Sequence, residues 1–277
     1  MSPLEIVFFW IAVGFYGITS ALYIYSFVFK KEKILAKISY FIVTAFLFHT
    51  ATILARYYAI GNLPVAGDYE NGLGGTWVIV LFTLYITVRH KSLRPVGIAT
   101  LPMSMLILGY GFMRNPQLAP MAATVRSFWL YIHVFFAQIA FGAFTIAFGL
   151  AIIYLLKEKS PDKEFYKKFP DLPRLDELMF RFLVFGFITD AVMIASGSIW
   201  AKNLWGNYWS WDPVETWSLV TWLIYGLAIH LRVTMGWRGR RLAWILILAL
   251  AGMIITYFGI NFMVKTSLHI FEVWQEM

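Results

Sequence analysis

The chain has 277 residues, 60% of them hydrophobic, 19% aromatic and only 14% charged. That is too apolar for a water-soluble domain and describes a polytopic membrane protein. The formal net charge of +8 would suggest nucleic acid in a soluble protein, but here the basic residues gather in alternate loops and report topology, so the lipid bilayer is the expected partner and nucleic acid is not.

Crossing ~30 Å of hydrocarbon takes roughly 20 residues of helix, and the sequence predicts eight such spans. In chain order they are Leu4–Phe29, Ile34–Ile60, Leu73–Val88, Pro95–Phe112, Trp129–Leu156, Leu178–Ile199, Thr216–Met235 and Leu242–Phe262. The third and fourth are the shortest, and Pro102 interrupts the fourth. A kink or a seven-span arrangement is open there. The opening residues Met-Ser-Pro-Leu-Glu carry no basic region, so no cleavable signal is expected and the first span stays. The expected architecture is all-α: one integral-membrane domain over residues 1–277, with no soluble domain and no internal repeat.

Basic residues follow the first span (Lys30, Lys31, Lys33, Lys37), the third (Arg89, Lys91, Arg94), the fifth (Lys157 to Arg181) and the seventh (Arg232, Arg238, Arg240, Arg241). These make up 18 of the 23, and the other connections and ends hold only Arg56, Arg114, Arg126, Lys202 and Lys265. The positive-inside rule therefore puts both termini outside, together with the connection between the sixth and seventh spans. A plasma membrane is the expected setting, with a thylakoid membrane as the alternative.

That connection is the most unusual stretch, Trp200-Ala-Lys-Asn-Leu-Trp-Gly-Asn-Tyr-Trp-Ser-Trp-Asp-Pro-Val-Glu-Thr-Trp217. Trp200, Trp205, Trp209, Trp211, Trp217 and the nearby Trp222 are half of the chain's twelve tryptophans. An interfacial aromatic belt is the plain alternative, but belt indoles are usually scattered over many helix ends. Flat apolar faces alternating with Lys202, Asn203, Ser210, Asp212 and Glu215 suit a large planar ligand with polar edges.

The topology sorts the five histidines. His133, at the start of the fifth span, and His269, after the eighth, fall on the face that holds the tryptophan stretch, an arrangement that could grip haem iron axially. His230 and His49 lie within spans, where an ionisable group is a functional candidate, although imidazole can also stay neutral and bond a neighbouring helix. His90 sits in a basic loop. Arg56, Arg114 and Arg126 are the few external arginines and could anchor haem propionates or simply lipid phosphate. With no cysteine, the chain performs no thiol exchange, so a thiol-reducing partner must do that work.

Trp205-Gly-Asn-Tyr-Trp-Ser-Trp-Asp-Pro-Val-Glu-Thr-Trp217, continuing to Trp222 and to His230-Leu-Arg232, resembles the WWD signature of the haem-handling proteins of cytochrome c biogenesis. Within them it most resembles the CcsA (ResC) type of System II. The resemblance implies that His133 and His269 ligate iron and that Trp205, Trp209, Trp211, Asp212, Glu215 and Trp217 form the platform for haem b, carried as cargo. Asp212 and Glu215 would also fix the loop or contact the apocytochrome, and His230 would lie on the haem entry path. It further implies a part in a haem lyase complex with a separate CcsB-type membrane protein, attaching haem to the Cys-x-x-Cys-His motif of apocytochrome c. Val214 stands where System II members commonly have lysine, and Asp-Pro-Val-Glu is also similar to the System I lyase type. A System I delivery protein that loads a haem chaperone, or an electron-transfer b-type cytochrome subunit, are the alternatives.

Overall fold

The computed structural model describes residues 1–114, 116–118, 121, 125–260 and 267. Helices α1 (Pro3–Val28) and α2 (Glu32–Ile60) are followed by α3 (Asp68–Arg89), a 3-10 turn (Lys91–Val96) and α4 (Gly97–Arg114). Next come α5 (Phe128–Lys159), the short α6 (Glu164–Lys167), α7 (Leu172–Trp205), α8 (Pro213–Met235) and α9 (Arg240–Ile254), which runs into a π-helical turn at Ile255–Gly259. No strand occurs among the described residues, and eight helices are long and apolar enough to cross a membrane.

Local chemistry sets the ends. Ser2 and Glu5 form a capping box at α1, with Pro3 in the first turn. Asp171 caps α7, and α7 stops at Gly206, whose φ of 83° suits a residue without Cβ. At the opposite end of the bundle, Asp176 pairs with Arg232 at 2.7 Å and accepts the Gly239 N–H at 2.6 Å, which ties α7, α8 and the turn before α9 together.

The long central α5 packs between α3, α7 and α9. Its glycines and alanines let neighbours come close, the usual basis of helix association in lipid: a Cβ on Gly142 would sit 2.9 Å from Val78. By contrast α8 lies at the edge of the bundle and exposes Leu223, Leu227 and Val233.

Two expectations need correction. The third span begins at Asp68 rather than Leu73, because Asp68 and Glu70 are first-turn acids at the positive end of a helix, and Glu70 meets the guanidinium of Arg56. The tryptophan stretch is not one loop from 200 to 217. Residues up to Trp205 belong to α7, residues from Pro213 belong to α8, and only the short stretch between them is irregular. The fourth span continues through Pro102 as one helix.

Candidate functional site

Asp212 is the N-cap of α8, Pro213 fills its first turn and Glu215 completes a capping box. One oxygen of the Glu215 carboxylate accepts three donors: the Ser210 N–H (2.8 Å), the Ser210 hydroxyl (3.1 Å) and the Asp212 N–H (3.2 Å). Trp211 lies between those donors in the left-handed region, with φ of 58°. A non-glycine residue persists there only when its surroundings hold it, and the flanking bonds to Glu215 do so. The Trp211 indole is thereby thrown outward, 70% exposed. Trp209, set at 86° to Trp211, turns inward.

Trp209 lines a cleft between α3, α4, α5, α7, α8 and the π-helical turn, with ≈ 1270 Å³ of empty space counting its open mouth. Its walls are mostly apolar, with Leu130, Ile107, Phe141 and Ile194 among them, and His133, Gln138, Trp200, Glu215 and Tyr257 add polar edges. The indole nitrogen of Trp209 is buried and finds no acceptor among the described residues. A buried donor without a partner on a residue that lines a cleft is a candidate for a ligand's acceptor.

His133 projects from α5 into the same cleft. Its Nδ1 lies 2.8 Å from the carbonyl oxygen of Met193 on α7. A carbonyl only accepts, so Nδ1 carries the hydrogen and the ring's lone pair is on Nε2. A histidine held in this way through its second nitrogen is the common second-shell arrangement of a metal ligand. The ring packs near-parallel to Trp200, with centroids 6.3 Å apart, and Gly197 makes room for it: a Cβ there would lie 2.5 Å from Nδ1. The lining residues fit haem in kind: an imidazole held through Nδ1, apolar walls and a buried N–H donor.

Not all the sequence candidates meet here. Trp205 packs edge-on to Trp200 in a neighbouring cluster with Met121 and Val125, Trp217 is not among the cleft's lining residues and accepts the Thr256 hydroxyl at its carbonyl, and Trp211 faces away. His230 is exposed on the outer face of α8. Arg56 is 1% exposed and engaged internally: it donates to Glu70 at 2.9 and 2.5 Å and to the carbonyls of Pro116 and Gln117, with Glu5 at 3.5 Å. Four of its five N–H groups are bonded internally and the guanidinium is shut away from the surface, which leaves it no reach to a propionate. Arg126 is exposed and donates to the Met121 carbonyl at 3.1 Å. His49 is buried and bonded to the Tyr16 hydroxyl at 3.0 Å. His269 lies outside the described residues. Sequence reasoning missed Gly197, Gln138 and Tyr257, for which spacing gives no signal. It also missed Asp190, an acid within a span, for which the signal was present.

The model of a family described as Cytochrome C assembly protein matches residues 69–268. The cytochrome c biogenesis protein CcsA of Guillardia theta is 31% identical over 262 residues, which covers 86% of this chain and 87% of that one. That of Trieres chinensis is 29% identical over 292 residues, covering 93% and 89%. Among solved structures, Cytochrome c Heme Lyase CcmF superposes with a TM-score of 0.75 at 16% identity, over 99% of this chain and 49% of that one. At that identity the likeness is one of fold, over about half the length of the larger protein.

Proposed function

The chain belongs to the cytochrome c assembly family, in its CcsA branch, and is an integral membrane protein of cytochrome c maturation; from that premise we propose that it binds haem b as cargo in the cleft and presents it outside the membrane for attachment to apocytochrome c. The His133 to Met193 bond carries this reading, because it fixes the tautomer and direction that an axial ligand needs. His269 supplies the second axial position. Trp209 and Trp200 give the porphyrin its apolar contact, and Glu215 and Asp212 hold the segment that carries Trp209. Of the three arginines considered for propionates, Arg56 is engaged by Glu70 and Arg114 by Asp68 at 3.0 Å, and Arg126 keeps the role.

The external placement of the cleft rests on loop charge: the basic clusters follow α1, α3, α5 and α8, at the bundle end away from the cleft. At attachment each cysteine thiol adds across a vinyl group, so that a C–S bond forms and the thiol hydrogen ends on the other vinyl carbon. A separate thiol-reducing protein keeps those cysteines available. A CcsB-type partner completes the system, and the outer face of α8 suits it: Val220, Leu223, Leu227 and His230 recur at helical spacing, all exposed. An imidazole on such an apolar stripe is placed to pass haem along the contact.

The test is maturation of a reporter cytochrome c in a host stripped of its own system. Co-expression with the CcsB-type partner should give covalent haem on the reporter, and neither chain alone should do so. Failure of the pair, with both proteins in the membrane, would overturn the reading.

A further inference from the structure

Asp190 stands at the middle of α7, 2% exposed, and the chemistry above does not use it. It is the next member, one turn down, of the stripe that builds the α7 wall of the cleft. Met193 and Ile194 follow it by three and four residues, Gly197 by seven and Ala201 by eleven, and all four line the cleft. Among the described residues no hydrogen-bond donor and no cation pairs with its carboxyl. The titratable groups facing it are Tyr225 from α8 and Tyr257 from the π-helical turn, both within its electrostatic reach. From α5 come Phe144, stacked on Tyr225 at 3.5 Å, and Phe141, 5.0 Å from Tyr257, and the titratable group of α5 on the cleft wall is His133 above them.

The hydroxyl of Tyr225 is buried and finds no partner among the described residues, and Tyr257 both lines the cleft and donates to the Ala137 carbonyl at 2.9 Å. An acid one turn below the cleft wall thus lies within electrostatic reach of two phenols, one of which lines the cleft and is set there by a π-helical turn, a distortion frequent at functional sites. An unpaired carboxylate at that depth is costly to charge. It gains from charging when a positive centre sits above it.

Resting on the haem reading, we infer that Asp190 is a proton site coupled to the oxidation state of the bound cargo. Ferric haem between two neutral imidazoles carries one net positive charge at its core, and ferrous haem none. With ferric haem in the cleft Asp190 is ionised and compensates that charge. When a one-electron reductant delivers an electron to iron, a proton from solvent joins the carboxylate, so one electron and one proton enter together and the net charge of the site is unchanged. The phenol of Tyr257, which lines the cleft and lies within electrostatic reach of the acid, is the exchangeable group between them. Gly197, beside His133, is seven residues from Asp190, about 10 Å along the helix. At that distance and an effective dielectric constant of about 20, a unit charge changes the reduction equilibrium on the order of tenfold.

The experiment is a redox titration of the haem-loaded full chain, with its partner if loading requires it, followed by absorbance at several pH values. Wild type and Asp190→Asn should have similar midpoints at low pH and diverge as pH rises, with wild type lower by about tenfold in the equilibrium, or about 59 mV for one electron. Asp190→Glu should keep the pH dependence, which separates loss of the acid from a folding defect. Propionates titrate in all three proteins and cancel in the comparison. Coincident curves for wild type and Asp190→Asn would overturn the inference. If wild type binds no haem, the haem reading itself fails. Infrared spectra of the haem-free protein then decide Asp190: a neutral-carboxyl band lost in Asp190→Asn upholds a proton site, and no such band overturns it.

Discussion

The imidazole Nδ1 of His133 donates to the main-chain carbonyl of Met193 at 2.8 Å, joining α5 to α7 across the wall of the cleft. The mount of the proposed ligand is therefore the helix pair with the most extensive packing in the bundle, so the ring's direction is as rigid as that pair. A site on rigid elements is more precise than one on a loop.

Gly197→Ala tests the mount. The added methyl would lie 2.5 Å from Nδ1, which forces the ring to turn while leaving the helix intact, alanine being the better helix former. Haem affinity should fall roughly 10- to 100-fold, as when a second-shell partner is lost, with unchanged helical content by circular dichroism. Wild-type affinity would show that the ring does not depend on this close approach.

Glu215 and Trp211 form a second pair. Glu215→Ala removes the shared acceptor of Ser210 and Asp212 and half of the capping box, so it should lower stability by about 1–2 kcal/mol and expose the 206–212 stretch to protease. Trp211→Gly relieves a left-handed residue whose indole is 70% exposed. It should leave haem retention intact and raise stability by about 1 kcal/mol. Thermal melts in detergent and protease nicking rates measure both.

Arg56 and Arg126, alike in sequence, should behave differently. Removing Arg56 strands Glu70 and Glu5 in a buried setting, and breaking a buried pair costs about 3–5 kcal/mol, so Arg56→Met should give little folded protein. Arg126→Ala should fold normally and bind haem more weakly. A stable Arg56→Met protein that had lost only haem would restore Arg56 as a cargo contact.

Much of the fold was legible in the sequence, because long apolar runs have few ways to satisfy their backbone in a bilayer. What misled was polarity read as loop. Asp68 and Glu70 looked like connection residues, yet their charges are met by Arg114 and Arg56. The tryptophan stretch looked like a loop, although Asp212-Pro213-Val214-Glu215 is a capping box in plain view. The site was legible only in part. His133, Trp209 and Glu215 share the cleft, whereas the inward turn of Trp209 and the outward turn of Trp211 depend on a single left-handed residue between paired donors. No periodicity announces that.

Orientation is tested by reporter fusions. Fusions after Lys163 and Arg240, in the basic loops, should read as cytoplasmic, and fusions within 61–67 or at Asn207 as external. A cytoplasmic signal at Asn207 would remove haem presentation from the outer face.

The central claim is that His133 and His269 are the axial ligands of one haem against the segment that carries Trp209, and the absorption spectrum of purified His133→Ala, His269→Ala and double-variant protein tests it most directly. Each single variant should lose the six-coordinate spectrum and regain it with added imidazole, which fills the vacated axial position, and the double variant should retain little haem. A double variant with an unchanged six-coordinate spectrum would contradict the account and move the ligands to other histidines, His49 and His230 first.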